Sequence, residues 1–139
     1  MSKPTIGICV DSSYSLTTKL LEWRVVDIES GKEIYKNSLY SNTLHINNLG
    51  EFFALCRGIY HVLENNLDLV VYSDSTTSIS WIENCRVNTT IKNKKLLILV
   101  EEGLNYINRK KVTKGLPKIE KWNSKSFGDI PADFGRKNK

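Results

Sequence analysis

The first third of the chain has the alternating apolar and polar pattern of β-strands. Three segments are predicted as strands: TIGICVD (5–11), LEWRVVDI (21–28) and EIYKNSLY (33–40). The ESGK segment between the second and third is typical of a hairpin turn, in which Gly31 takes a positive φ. We expect the first strand to end at Asp11, which lies on the opposite side of that strand from Ile8 and Val10.

Beyond residue 46 the apolar residues recur with the period of an α-helix. The segments NNLGEFFALCRGIYHVLEN (47–65) and LLILVEEGLNYINRK (96–110) predict two long amphipathic helices. The expected apolar face of the first comprises Phe52, Cys56, Ile59 and Leu63. That of the second comprises Leu97, Val100, Leu104 and Ile107.

Two further strands and a short helix complete the predicted fold. LDLVVYS (67–73) and KIEKWNS (118–124) are predicted as strands, and a helix is expected from Ser75 to about Asn84. The resulting order, β-β-β-α-β-α-α-β, predicts an α/β fold with a five-stranded mixed sheet flanked by helices. We expect residues 1–139 to form a single domain.

Composition indicates a cytoplasmic protein with no membrane segment. The three cysteines are odd in number and fall inside predicted elements, which favours reduced thiols over a disulfide framework. The amino terminus has no apolar signal core, and the longest apolar stretch, Leu96 to Val100, is far too short to span a bilayer.

Charge is distributed unevenly along the chain. Residues 1–85 contain six Lys and Arg against ten Asp and Glu, a net charge of −4, whereas residues 86–139 contain 14 against five, a net charge of +9. A basic carboxyl-terminal third joined to an acidic body suggests a polyanionic partner and a separate acidic centre. A solvated lysine-rich surface would give the same charges.

Three carboxylates occupy unusual positions in this pattern. Asp11 and Asp74 each end a predicted strand, and the carboxyl ends of strands are where open α/β sheets bind ligands. Asp74 could instead cap the helix that follows. Glu51 falls within the apolar arc of its helix, with Leu55 and Gly58, although the helix dipole alone would favour a Glu at this end.

If strands one and four are neighbours, these three carboxylates converge at one end of the sheet. Converging carboxylates repel each other unless a cation holds them. Because no Cys or His accompanies them, the predicted ligands are all oxygens, which favours Mg²⁺ or Mn²⁺ over zinc. Two such ions form the usual arrangement for phosphodiester hydrolysis.

Four segments in this order and spacing, CVDSS, NNLGEFFAL, VVYSDSTTSISWI and GDIPADFGRK, resemble type 1 ribonuclease H, most closely a compact bacterial branch of that family. The resemblance covers essentially the whole chain and implies a ribonuclease H-like fold. It also implies a metal-dependent endoribonuclease that cleaves the RNA strand of RNA–DNA hybrids with two Mg²⁺ ions, for which Mn²⁺ can substitute. No small-molecule cofactor is expected, and the protein is expected to be a monomer.

The resemblance also assigns site residues. The implied catalytic and metal-ligating set is Asp11, Glu51, Asp74 and Asp133. By the resemblance, Asn47 and Asn48 contact the hybrid, and Ser75 beside Asp74 is a further expected contact. The Trp-rich basic protrusion of some relatives is missing, and Lys110 and Lys111 of the basic cluster Arg109–Lys114 are expected to contact the hybrid in its place. The two asparagines could instead cap the helix that follows them, and a basic cluster at Lys92–Lys95 is the alternative to the one that contains Lys110 and Lys111.

Asp133 is expected at the start of a short helical turn opened by Pro131 and held in place by Phe134, with Asp129 as the alternative fourth carboxylate. The chain departs from the family in having no His between Trp122 and Asp133 and no Gly or Asn in the segment after Asp11. Two other functions remain open at this point: a nuclease of this fold for another structured nucleic acid, such as branched DNA, and a non-catalytic module that binds hybrids or duplex RNA.

Overall fold

The computed structural model describes residues 2–135, which form a five-stranded sheet with helices packed on it. The strands are β1 (Ile8–Tyr14), β2 (Leu20–Asp27), β3 (Glu33–Tyr40), β4 (Val71–Ser73) and β5 (Ile119–Lys121). The helices are α1 (Asn47–Glu64), α2 (Thr76–Asn84), α3 (Lys94–Val112) and α4 (Ser124–Phe127). The predicted order of elements and the mixed five-stranded sheet are confirmed, and α4 is an additional short helix.

The sheet has the strand order β3-β2-β1-β4-β5. The first three strands in the chain are antiparallel neighbours, and β4 and β5 then add in parallel to β1. The turn between β2 and β3 contains Gly31 with a φ of 72°, as predicted. Because β1 and β4 are parallel neighbours, residues near their carboxyl ends lie at the same end of the sheet.

The expectation that β1 ends at Asp11 is wrong, because the strand continues to Tyr14. Its second half pairs with β2 in an antiparallel ladder, in which Asp11 lies opposite Arg24 and Tyr14 lies opposite Leu21. The serine-rich segment after Asp11, which has weak strand propensity, is therefore held extended by its partner strand. The parallel pairing with β4 reaches only as far as Cys9, so Asp11 lies just past the point where β1 separates from β4.

The main core lies between one face of the sheet and α1, and both α2 and α3 pack against α1. In α3 the buried face comprises Leu96, Val100 and Ile107, and Leu97, which was expected on that face, is 37% exposed. The helix begins at Lys94, two residues earlier than expected, and Leu96 is fully buried in the main core. A smaller core on the opposite face of the sheet is built from β-strand residues and the chain after β5.

Close contact between α1 and the sheet depends on Gly50. A Cβ atom at this position would lie 2.7 Å from Leu21 Cδ1 and 2.9 Å from Ser12 Oγ, distances at which something must move. The absence of a side chain therefore lets the first turn of α1 lie directly against β1 and β2. This contact fixes the position of the next residue, Glu51, relative to the end of the sheet.

Two further features concern the cysteines and the length of the helices. All three cysteines are free thiols, with Cys9 fully buried. Within residues 2–135, none of the helices combines the length and the apolar character needed to cross a bilayer.

Candidate metal centre

Three carboxylates meet where β1 separates from β4. Asp11 lies in β1, Glu51 lies in the first turns of α1, and Asp74 follows directly after β4. Each offers one carboxylate oxygen, and these oxygens lie within 4.8 Å of one another. The predicted convergence of these three side chains is confirmed, and it comes from the parallel β1–β4 pair and from the approach of α1 at Gly50.

At the start of α2, the residue after Asp74 caps the helix, and Asp74 itself does not. Ser75 is the N-cap of α2, and its Oγ accepts a hydrogen bond from the Ser78 amide at 3.1 Å. The Ser75 amide donates in turn to Ser73 Oγ at 3.1 Å. Ser75 therefore caps α2, the alternative in which Asp74 caps it is wrong, and the carboxylate of Asp74 faces the acidic cluster.

Glu51 is held by two hydrogen bonds to one of its oxygens. Its Oε1 accepts from the backbone amide of Ser12 at 3.2 Å and from the Ser12 hydroxyl at 3.0 Å. Its Oε2 is buried and finds no hydrogen-bond partner among residues 2–135. A buried carboxylate oxygen without a partner is costly, so this atom marks a position where a cation would be bound favourably.

Burial and mutual repulsion alter the ionisation of the cluster. Burial raises the pKa of Asp11 to about 7, with a further upward contribution from the charge of Asp74. The pKa of Glu51 is also raised, first by burial and then by the neighbouring charges of Asp11 and Asp74. Because each ionised group disfavours the next, full ionisation near neutral pH requires a compensating positive charge.

Asp133 lines the same cavity, which has a volume of about 270 Å³ and is also lined by Asp11, Glu51, Asp74 and Asn47. Asp129 is not among the residues that line it. The expected helical turn at Asp133 is wrong: a tight turn at residues 131–132 precedes it, closed by a hydrogen bond from its amide to the Ile130 carbonyl at 2.9 Å. Arg136 and Lys137, part of the motif that suggested this carboxylate, lie outside the described residues.

Asn47 and Asn48 do not cap α1. The N-cap residue is Ile46, and no side chain makes a capping hydrogen bond there. Asn47 faces the acidic cavity, whereas Asn48 lines an adjoining cleft together with His45 and Trp81. The capping alternative is therefore wrong, and of the two side chains only Asn47 lines the cavity that contains the carboxylates.

Lys110 and Lys111 lie at the opposite end of α1 from the cluster. Lys110 pairs with Glu64 at 3.2 Å, and Lys111 donates to the Glu83 carbonyl at 2.6 Å. Glu64 is 13 residues beyond Glu51 in the same helix, about 20 Å along its axis. Both ammonium groups are engaged in contacts far from the carboxylates.

A different basic surface lies close to the acidic cavity. Three lysines line one polar groove at the start of α3: Lys19, Lys94 and Lys95. The groove also includes Ser41, whose carbonyl accepts a hydrogen bond from the Tyr14 hydroxyl at 2.6 Å, and Tyr14 itself lines the acidic cavity. The alternative cluster predicted at Lys92–Lys95 contributes Lys94 and Lys95 to this groove, whereas Lys92 does not line it and Lys19 was not predicted.

The donor set fits a hard divalent cation. The converging atoms are carboxylate oxygens, the ligand type that Mg²⁺ and Mn²⁺ prefer. A bound cation would give Oε2 of Glu51 a partner. It would also lower the pKa values of Asp11 and Glu51, which burial and mutual repulsion raise.

Comparison with known proteins agrees with this architecture. No family model matches the chain. Among solved structures, RNase H1 from the halophilic archaeon Halobacterium salinarum NRC-1 is 12% identical, with 87% of each chain covered and a TM-score of 0.50. LC11-RNase H1, isolated from compost by a metagenomic approach, is 17% identical, with 91% of this chain and 88% of that chain covered and a TM-score of 0.53. The chain has the ribonuclease H-like fold.

The stability of the metal-free protein is predicted to fall as the pH rises. Because the pKa of Asp11 is higher in the folded chain, the folded protein binds more protons than the unfolded chain between the two pKa values, 3.8 and about 7. In chelator, the free energy of unfolding measured in urea should therefore decrease from about pH 5 to about pH 7. Asp11→Asn should flatten this dependence. A variant with the same pH dependence as the wild type would contradict the assignment.

Proposed function

We propose that this protein is a divalent-metal-dependent endoribonuclease that hydrolyses the RNA strand of RNA–DNA hybrids. The proposal rests on a cluster of three carboxylates, the third of which, Asp74, is partly exposed, with one unpartnered oxygen on Glu51, in a chain with a ribonuclease H-like fold. A module that only bound nucleic acid would gain nothing from carboxylates that face phosphates. The cluster therefore favours a catalyst over a binding module.

Asp11, Glu51, Asp74 and Asp133 would hold two Mg²⁺ ions, and Mn²⁺ suits the same oxygens. When bound, the ions supply activation of a water and stabilisation of the leaving oxygen for in-line displacement. The chain prepares this site in advance. The hydrogen bonds from Ser12 orient one Glu51 oxygen and leave the other available.

Asn47 and Asn48 are suited to recognise the RNA strand. Both side chains lie at the start of α1, and neither makes a hydrogen bond within the part of the chain that the structure describes. A side-chain amide can both donate to and accept from a 2′-hydroxyl, which a DNA strand lacks. Ser75 adjoins Asp74, and its hydroxyl hydrogen is available to donate to a phosphate while its oxygen caps α2.

We propose that the phosphates of the hybrid contact the groove formed by Lys19, Lys94 and Lys95. This groove lies on the same end of the molecule as the acidic cavity, and Tyr14 connects the two. Lys110 and Lys111 are the weaker choice because their ammonium groups already contact Glu64 and the Glu83 carbonyl. A cluster of three lysines beside the cavity provides the positive charge that a polyanion requires.

The direct test compares labelled RNA–DNA, RNA–RNA and DNA–DNA duplexes and a branched DNA, each incubated in Mg²⁺, Mn²⁺ or chelator. Cleavage of the RNA strand of the hybrid alone, only with metal, is the expected result. Asp74→Asn is the matched inactive control. Failure to cleave the hybrid in either metal would refute the proposal, and cleavage of branched DNA instead would assign a different nuclease of this fold.

Asp133→Asn and Asp129→Asn form a matched pair that tests the fourth carboxylate. Asp133 lines the cavity and Asp129 does not, so we expect Asp133→Asn to reduce the cleavage rate by about 100-fold or more, as loss of an electrostatic catalytic group does. Asp129→Asn should change the rate by less than about threefold. Initial rates are measured at saturating Mg²⁺. A larger loss of rate in Asp129→Asn than in Asp133→Asn would identify Asp129, in the loop before Ile130, as the fourth ligand.

Salt dependence distinguishes the two basic clusters. Each phosphate contact that is lost should reduce the slope of log affinity against log salt by about one unit. The double substitution of Lys94 and Lys95 by Ala should therefore flatten the slope measured with a hybrid in Ca²⁺ or chelator. The same change at Lys110 and Lys111 should leave it unchanged. If only the substitution of Lys110 and Lys111 flattened the slope, the phosphate contacts would be assigned to these two lysines at the end of α3.

A further inference from the structure

We infer that Arg24 is the positioning residue that fixes Asp133 in the metal centre, a role that rests on the proposed function. Arg24 lies in β2, on the face of the sheet that the carboxyl-terminal segment covers. Neither the carboxylate set nor the hybrid-contacting set includes it. Its contacts join two parts of the chain that are 109 residues apart.

The guanidinium of Arg24 binds consecutive main-chain carbonyls on the segment that contains Asp133. Its Nε donates to the Ala132 carbonyl at 2.7 Å, and its Nη2 donates to the Asp133 carbonyl at 2.6 Å. The ring of Phe134 lies over the guanidinium, 4.8 Å from its central carbon to the ring centroid. One side chain therefore contacts residues 132, 133 and 134 in succession.

The register of the sheet places this clamp beside the acidic cluster. Arg24 lies directly opposite Asp11 in the β1–β2 ladder, so the two side chains are on the same face of the sheet and about 5 Å apart at their Cβ atoms. A segment bound to the guanidinium must therefore pass next to Asp11. This geometry accounts for the presence of Asp133 in the cavity without a helix to hold it.

The segment around Asp133 needs such an anchor. A tight turn precedes Asp133, and the expected helical turn is not formed there. The buried side chains of Ile130 and Ala132 fix the chain before it. On the far side, Phe134 contacts cationic groups of Arg24 and Lys36, so its predicted holding role operates through the arginine.

The geometry requires arginine at this position. The planar guanidinium donates along two directions at once, to the Ala132 and Asp133 carbonyls, while its third nitrogen, Nη1, lies 3.3 Å from Glu33 Oε1. A lysine would retain the positive charge beside Asp11 but could not reproduce the paired contact. Arg24→Lys therefore separates positioning of the backbone from electrostatic attraction.

The test measures Mg²⁺ binding through the rise in melting temperature across a Mg²⁺ titration, and needs no cleavage. Removal of a group that orients a metal ligand typically lowers metal affinity about 10-fold to 100-fold. We expect Arg24→Gln and Arg24→Lys each to raise the half-saturating Mg²⁺ concentration about tenfold or more. The control, Glu33→Ala, removes the partner of Nη1 without touching the two carbonyl contacts, and it should leave that concentration unchanged.

A double-mutant cycle with Asp133→Asn identifies the route of the effect. If Arg24 acts through Asp133, Arg24→Gln should have no further effect on half-saturating Mg²⁺ in the Asp133→Asn background. A lower melting temperature in chelator with an unchanged Mg²⁺ dependence, or equal effects in both backgrounds, would overturn the inference. If Arg24→Gln does not fold, Arg24→Lys carries the same comparison. Wild-type protein that binds Mg²⁺ but leaves hybrids intact would refute the proposed function and still test the role of Arg24.

Discussion

Three carboxylates that share one buried site repel each other, and this repulsion is the constraint on which the site depends. Asp11, Glu51 and Asp74 present oxygens within 4.8 Å of one another. Burial weakens the screening that water would provide, and the pKa values of Asp11 and Glu51 rise as a result. Such an arrangement persists only because the surrounding fold is stable enough to impose it. The attraction between a bound cation and each carboxylate would outweigh this repulsion.

The fold imposes the cluster from both faces of the sheet. On the helical face, Gly50 lets α1 approach β1, and Ser12 then binds one oxygen of Glu51. On the opposite face, Arg24 donates hydrogen bonds to the main-chain carbonyls of Ala132 and Asp133. Ser12 and Arg24 occupy adjacent positions of the β1–β2 ladder, because Ser12 follows Asp11 and Arg24 lies opposite Asp11.

The sequence predicted those parts of the structure that depend on local pattern. Periodicity gave the order of elements, and the apolar arc of α1 placed Glu51 on the buried side. Long-range pairing decided what remained. The strand propensity of the segment after Asp11 is weak, so its extension to Tyr14 depends on β2. Arg24 was missed because its function requires the register of the ladder, and the separation of Lys110 from the carboxylates requires the direction of α1 relative to α3.

The most direct test of the central claim is a crystal structure of the protein soaked in Mn²⁺, with anomalous difference density measured at the manganese absorption edge. We expect a peak bounded by carboxylate oxygens of Asp11, Glu51 and Asp74, with Oε2 of Glu51 as a ligand. Asp74→Asn should weaken or abolish this peak. The absence of density at this position at millimolar Mn²⁺, with the Glu51 carboxylate satisfied by protein groups alone, would contradict the claim that the cluster is a metal centre.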